Sequence, residues 1–240
     1  MSSAATSQKR FGLNHSRTLK RIVDVLFSLL AIIILSPVLI VVSILLKLTG
    51  KDIFFIQERV GQDEKPFKLM KFTTMPKGSE KLGYITTSAD PRPTTMGKFL
   101  RKTKINEIPQ FINVLRGNMS LVGPRPLLKI HAELYPEERR RRIYSNKPGL
   151  IGIGSLYFNH EDSFLASAGN PHQYYVDVIM PKKARLELWY AKNWNILLDL
   201  KILFLTFLVL LGVKKSGWPW TKTLSKPSNM TTSTMPFPLP

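Results

Sequence analysis

From Val25 to Leu46 the chain carries no charged residue. A run of that length can form a membrane helix, which needs roughly 20 apolar residues. It is too long for the apolar part of a secretory leader, and no small-residue cleavage site follows it. Ser36-Pro37 stands in its middle. A proline inside a helix removes one hydrogen bond and crowds the preceding turn, so a kink is expected there. Both flanks are basic, with Lys20 and Arg21 before the run and Lys47 and Lys51 after it. A spanning helix usually keeps its basic excess on the cytoplasmic side alone. Two topologies are therefore open. One is a single pass with a tolerated proline kink. The other is a re-entrant hairpin whose two ends stay on one membrane face. After a single pass that starts inside, the rest of the chain would lie outside the cell. After a hairpin it stays in the cytoplasm, near nucleotides.

The charge balance narrows the partners. With 35 basic and 16 acidic residues the formal net charge is +19. Such an excess calls for an anionic partner: a phosphorylated ligand, an anionic membrane surface or nucleic acid. No nucleic-acid reader motif is present, and the membrane segment argues against that partner. Cysteine is absent, which removes disulfides, thiol catalysis and cysteine-bound metal. The histidines at 15, 131, 160 and 172 form no metal-binding pair. Neither a serine-hydrolase elbow nor a Walker loop occurs.

Four stretches follow from composition and pattern. Residues 1–18 read as a disordered basic arm, residues 19–50 as the membrane segment, residues 51–213 as the globular domain and residues 214–240 as a disordered tail rich in Ser, Thr and Pro. Within the domain, "DIFFIQERVG" predicts a strand with Phe54, Phe55 and Ile56 in the core. "KPFKLMKFTTM" alternates basic and apolar residues and predicts a second strand with one wet face. "KGSEKLGYITTSADPRPTT" is rich in turn formers and reads as a loop. Ile108, Phe111, Ile112 and Leu115 recur at helical spacing, predicting a helix over 105–115 with one apolar stripe. Pro109 fits only its first turn, so Asn106 is the expected N-cap. The glycines at 149, 152 and 154 suit a tight turn and match no nucleotide-cradling pattern. The last apolar run, Ile202 to Val213, is too short to span a bilayer and follows Trp189, Tyr190 and Trp194. It predicts an interfacial or core helix.

The chemistry concentrates in "KTKINEIPQFINVLRGNMSLVGPRP", residues 102–126. One carboxylate, Glu107, stands beside the amide of Asn106 in basic company. A helix beginning at Asn106 would point free N–H groups and a positive dipole end at an anion. Arg101 and Arg125 have the planar fork that binds phosphate oxygens, and Lys71 supplies a further cation. Glu107 could hold Mg2+, which takes one or two carboxylates and completes its shell with water and substrate phosphates. Together these parts suit phosphoryl transfer, where catalysis is mostly positioning and charge stabilisation. The plainer reading is also open: Asn106 as a cap, and Glu107 as a first-turn acid favoured by the dipole.

These residues resemble the bacterial sugar transferases known as monotopic phosphoglycosyl transferases, or polyprenyl-phosphate hexose-1-phosphate transferases. The resemblance covers residues 20 to about 210. It is carried by "KRIVDVLFSLLAIIILSPVLIVVSILLKLTG", "FIQERVGQDEKPFKLMKFTTM", "GKFLRKTKINEIPQFINVLRGNMSLVGPRP" and "WNILLDLKILFLT". The chain looks like the short form, without the four extra N-terminal spans of longer relatives. The fold implied is α+β and mostly helical. It joins a re-entrant helix-break-helix, with the break at Ser36 and Pro37, to a small cytoplasmic catalytic domain and interfacial amphipathic helices. The implied location is the cytoplasmic face of the bacterial inner membrane, among membrane lipids. The implied reaction moves a sugar 1-phosphate from a UDP-sugar to polyprenyl phosphate and releases UMP, as a first membrane step of polysaccharide or glycoconjugate synthesis. In the family an aspartate attacks the phosphate next to the sugar, and the following glutamate helps to bind Mg2+.

At that dyad the sequence departs from the family. Where the resemblance implies Asp-Glu, this chain has Asn106-Glu107. Glu107, Arg101 and the Pro124-Arg125-Pro126 turn carry over by position; the nucleophile does not. The family's Pro-Gly-Ile-Thr-Gly-Trp-type stretch is altered as well, to Pro148-Gly149-Leu150-Ile151-Gly152-Ile153-Gly154. Three readings follow. The chain is an active transferase in which the lipid phosphate attacks directly or another acid, Glu107 or Asp90, stands in. It is a non-catalytic relative that binds nucleotide-sugar or lipid phosphate and supports other assembly enzymes. Or it is a transferase of another class on the same scaffold. The sugar, the glycan and the oligomeric state, including a homo-oligomer or contacts with glycan-assembly enzymes, stay open.

Overall fold

The computed structural model describes residues 2–213, except 84, 85, 88, 159 and 160. The tail over 214–240 and His160 lie outside the described residues. The longest element is α1 (Ser2–Leu48), which contains Pro37. Its helical backbone starts at Ser2, although residues 1–18 read as an arm without structure. No proline interrupts residues 2–36, and extending an existing helix costs far less than nucleating one. Residues 16–48 are long and apolar enough to cross a membrane. The helix also continues through Pro37, and Ser36 Oγ donates to the Ile33 carbonyl at 2.8 Å. One stripe of α1, through Asp24, Ser28, Val42 and Leu46, is buried. The opposite face leaves Phe27, Leu30, Ile33, Ile34 and Ile40 uncovered.

The apolar stretch of this helix is tied to one domain on both sides. At the N-terminal end, Lys20 donates to Asp199 and to the Val122 carbonyl, and Arg21 donates to the carbonyls of Val114 and Leu115. Asp24 accepts from the Ser120 hydroxyl and from the Leu121 N–H. At the C-terminal end, Val42 and Leu46 pack with Phe72 and Leu100.

The chain then forms an antiparallel ribbon of β1 (Phe54–Val60) and β2 (Pro66–Phe72). Phe67 and Leu69 point into the core as the alternation predicts. Phe54, Phe55 and Ile56 do not; they are exposed. Phe54 stacks on the buried Phe72, and the three side chains otherwise stay at the surface of a two-stranded ribbon. The loop after β2 leads to α2 (Thr95–Lys102), capped by the Thr94 hydroxyl on the Gly97 N–H.

The predicted helix over 105–115 is split. Ile105–Glu107 is a 3-10 turn capped by Lys104 in a left-handed conformation (φ 60°), and α3 (Gln110–Leu115) begins only after Pro109. Asn106 is therefore buried inside a tight turn and is not an N-cap. Proline 109 lacks the N–H that would join the two pieces into one α-helix. The apolar stripe of α3 is only half-buried, and α3 packs against α1. Its buried residues are Gln110, Asn113 and Val114, two of them amides. The Asn113 amide repays this by donating to the Lys68 carbonyl at 2.7 Å and accepting from the Met70 N–H at 3.0 Å.

Next come β3 (Ser120–Val122), α4 (Lys129–Ala132), α5 (Glu137–Tyr144) and β4 (Gly149–Ile151), with β3 and β4 pairing in parallel. Short helices α6 (Ile153–Tyr157), α7 (Glu161–Ala166) and α8 (Pro171–Tyr174) lead through a π-helical turn (Tyr175–Ile179) into α9 (Met180–Asn193). The last helix, α10 (Ile196–Leu210), is capped by Asn195 on the Leu198 N–H. It buries Asp199 and Ile202 in the domain and exposes Leu197, Phe204, Phe207 and Leu210. It thus joins the core along one side and offers an apolar face to its surroundings, as a membrane-interface helix does.

Candidate active site

Three segments bring the predicted residues together. The β1–β2 register puts Arg59 opposite Phe67 and Lys71 opposite Phe55, so both cations lie on one ribbon face. The 3-10 turn presents Glu107 to that face. The segment after β3 presents Arg125. Glu107 Oε1 accepts from Lys71 Nζ at 3.3 Å and from Arg125 Nη2 at 3.1 Å.

The backbone around Arg125 is held from several sides. Gly123 N–H donates to the Ile151 carbonyl and Gly149 N–H to the Pro124 carbonyl. A Cβ on Gly149 would lie 2.1 Å from Gly123 N, so this close approach requires glycine. The Tyr144 hydroxyl accepts from the Leu127 N–H and donates to the Arg125 carbonyl, both at 3.3 Å. From α9, the buried Glu187 accepts from the Gly154 N–H at 3.2 Å and from the Arg125 N–H. Its Oε2 has no partner. Burial pushes the Glu187 carboxyl up to about 7, with the two N–H groups and Lys183 opposing.

The electrostatics are dominated by positive charge. Burial alone would raise the Glu107 carboxyl, but Lys71, then Arg125 and Lys104, hold it well below the usual carboxylate range. Burial lowers the Lys71 ammonium to about 8; Glu107 opposes the shift while Arg125 and Arg59 add to it. Burial, and then Arg125, likewise lower Arg59 to about 10. Arg59 bonds to Gln57 and to the Pro126 carbonyl, but its buried Nε has no partner. Two cations therefore pair with Glu107, and a third, Arg59, is coupled to it electrostatically. A cluster of that balance is suited to oxygens of phosphate or diphosphate.

Two predicted residues lie apart from this cluster. Arg101 donates to the Thr74 hydroxyl at 2.9 Å and contacts the Met75 sulfur. Asp90 is gripped by Arg92 through both carboxylate oxygens. Asn106, next to Glu107, has a buried Oδ1 without a hydrogen-bond partner. Among the described residues no group of three or more His, Cys, Asp or Glu is placed to hold a metal.

Sequence reasoning missed Arg59, Tyr144 and Glu187. Arg59 had a local signal, since it follows Gln57 on the polar side of a period-two strand. Tyr144 and Glu187 had none, because each acts on a turn 19 or more residues away.

A family model described as bacterial sugar transferase matches residues 15–213. The chain is 36% identical over 196 residues to the UDP-glucose:undecaprenyl-phosphate glucose-1-phosphate transferase of Escherichia coli strain K12, covering 80% of this chain and 40% of that protein. It is 36% identical to the uncharacterized sugar transferase EpsL of Bacillus subtilis strain 168, covering 78% of this chain and 85% of that one. With the exopolysaccharide production protein ExoY of Sinorhizobium fredii strain NGR234 the identity is 34%, over 78% and 83%. The chain thus spans about two-fifths of the length of the E. coli relative and most of the length of the other two.

Proposed function

The chain belongs to the bacterial sugar transferase family, and on that premise we propose that it moves a sugar 1-phosphate from a UDP-sugar to polyprenyl phosphate, releasing UMP. The observation that carries this reading is the cluster of Arg59, Lys71 and Arg125 about the single carboxylate of Glu107. Such a cluster is built to hold the charge of a diphosphate as a bond to phosphorus breaks. The product, a lipid-linked sugar, is the starting unit for exopolysaccharide, lipopolysaccharide or capsule. The ExoY name of one relative supports the first of these.

Mg2+ fits the same place. Both cations sit on Glu107 Oε1, which leaves Oε2 to hold the ion, and the neighbouring residue's Asn106 Oδ1 is a buried oxygen without a partner that could add to it. When bound, the ion would neutralise charge on the diphosphate. Arg125 orients the phosphate by its fork, Lys71 adds a point charge, and Glu107 fixes both.

The test is reconstitution with polyprenyl phosphate, Mg2+ and a panel of UDP-sugars. UMP release with one donor and not others is expected. Tight UDP-sugar binding with no UMP from any donor would mean a binding protein that supports other enzymes.

We further propose that α1 is re-entrant, with both ends and the domain on the cytoplasmic face of the inner membrane. From Lys20 to Leu46 a straight helix is about 39 Å long, more than the ~30 Å hydrocarbon thickness. Yet Lys20 and Leu46 both contact the one domain. A spanning helix would put those contacts on opposite sides of the bilayer. Bending at Pro37 lets both ends return to one side while the exposed apolar residues enter the lipid. Single cysteines replacing Ser2 and Lys51 are unique labels, since the chain has none of its own. Both should react from the cytoplasmic side only; labelling from opposite sides rejects the hairpin.

A further inference from the structure

We propose that the sugar phosphate passes from donor to lipid acceptor in a single displacement, with no covalent intermediate on the protein. This rests on the transferase reading above. A two-step route needs an enzyme nucleophile, and at position 106, where the family resemblance implies an aspartate, this chain has an amide. Asn106 is a neutral amide whose electron density is delocalised, so it is a poor nucleophile toward phosphorus. It is also buried, at 7% exposure.

The nearby carboxylates are committed elsewhere. Glu107 Oε1 carries both Lys71 and Arg125, and its Oε2 is the oxygen left to hold Mg2+. Asp90 is chelated by Arg92. Glu161 is paired with Lys183. Glu187 lies behind the glycine turn, where added Cβ atoms at Gly152 and Gly154 would meet its Oε1 at 3.1 and 2.8 Å. There it accepts from the Gly154 and Arg125 N–H groups, and its other oxygen, Oε2, is buried.

Charge supports the same route. A single displacement requires two phosphate-bearing substrates in the pocket together. Each additional carboxylate would repel the incoming lipid phosphate. An amide at 106 adds no negative charge beside Glu107 and offers an N–H donor where an aspartate would offer repulsion.

In this step a non-bridging oxygen of the polyprenyl phosphate attacks the sugar-bearing phosphorus of the UDP-sugar. The new phosphorus–oxygen bond forms as the bond to the bridging oxygen of UMP breaks. UMP departs with that electron pair. The total charge of the two products equals that of the two substrates, so the enzyme has no proton to remove or supply.

The test uses the full chain in nanodiscs with Mg2+, polyprenyl phosphate and a UDP-sugar that supports turnover. Initial rates over both substrates should give intersecting reciprocal plots. Donor alone should release no UMP and leave the intact mass of the protein unchanged, and peptide mapping should find an amide at 106. Parallel plots, with UMP released by donor alone and a sugar-phosphate adduct on the protein, would overturn the single displacement while leaving the transferase reading intact. Aspartate at 106 in the purified protein would overturn it too. Absence of UMP from every donor with acceptor present overturns the transferase reading, and this inference with it.

Discussion

Arg125→Ala is expected to lower sugar-phosphate transfer by about 10²–10³-fold, the usual loss when one preorganised donor to developing charge is removed. Arg125 is the cation on Glu107 with the bidentate geometry that matches phosphate oxygens. Its side chain is 36% exposed, so truncation opens the mouth of the site and leaves no large cavity in the core. The turn that carries it is held by backbone groups, Tyr144 and Glu187. The variant should therefore melt within a few degrees of the parent while UMP release collapses. Arg125→Lys should recover only part of the loss, because an ammonium restores the charge but not the fork. Initial rates of UMP release across UDP-sugar concentrations check this. Rates within about threefold of the parent in the alanine variant would remove Arg125 from the site.

How far the sequence reveals this site depends on how local each contact is. Lys71 is legible because a basic residue closes an alternating strand, and Arg125 because Pro124 and Pro126 frame it. Glu107 stands out as an acid among cations. The same local logic misplaces the helix start. Asn106 satisfies the preferences of an N-cap, but Pro109 breaks the hydrogen-bond series and forces a 3-10 turn, burying Asn106. Phe54, Phe55 and Ile56 look like core by composition, but a two-stranded ribbon has too little cover for them. The contacts that fix the phosphate-binding turn come from α5 and α9. Nothing in a local window marks Tyr144 or Glu187 as partners of Arg125, since their pairing depends on where the chain returns. The apolar run predicts a membrane helix but is silent on its anchors. Lys20, Arg21 and Asp24 read only as flanking charges, yet each reaches the domain.

That anchoring gives the largest expected effect on stability. Asp199→Ala should destabilise the fold by about 3–5 kcal/mol, the cost of breaking a buried ion pair from one side. Asp199 is almost fully buried on α10. It pairs with Lys20 at 2.5 Å, accepts from the Tyr190 hydroxyl at 2.7 Å and accepts from the Trp194 indole at 3.1 Å. One carboxylate thus joins α1, α9 and α10. Without it the Lys20 ammonium keeps only the Val122 carbonyl and the edge of a distant cation–π contact with Trp194. The Tyr190 hydroxyl keeps a 3.2 Å contact with the same carbonyl. In a chain of this size the loss corresponds to a Tm lower by about 6–20 °C, measurable in detergent by scanning fluorimetry. The double variant Lys20→Met/Asp199→Leu should be less damaged than Asp199→Ala, because removing both partners leaves no stranded charge. A drop below about 1 kcal/mol for Asp199→Ala would place the pair in the weak class of exposed salt bridges. The tie between the membrane helix and the domain would then rest on Arg21, Asp24 and the packing of Val42 and Leu46.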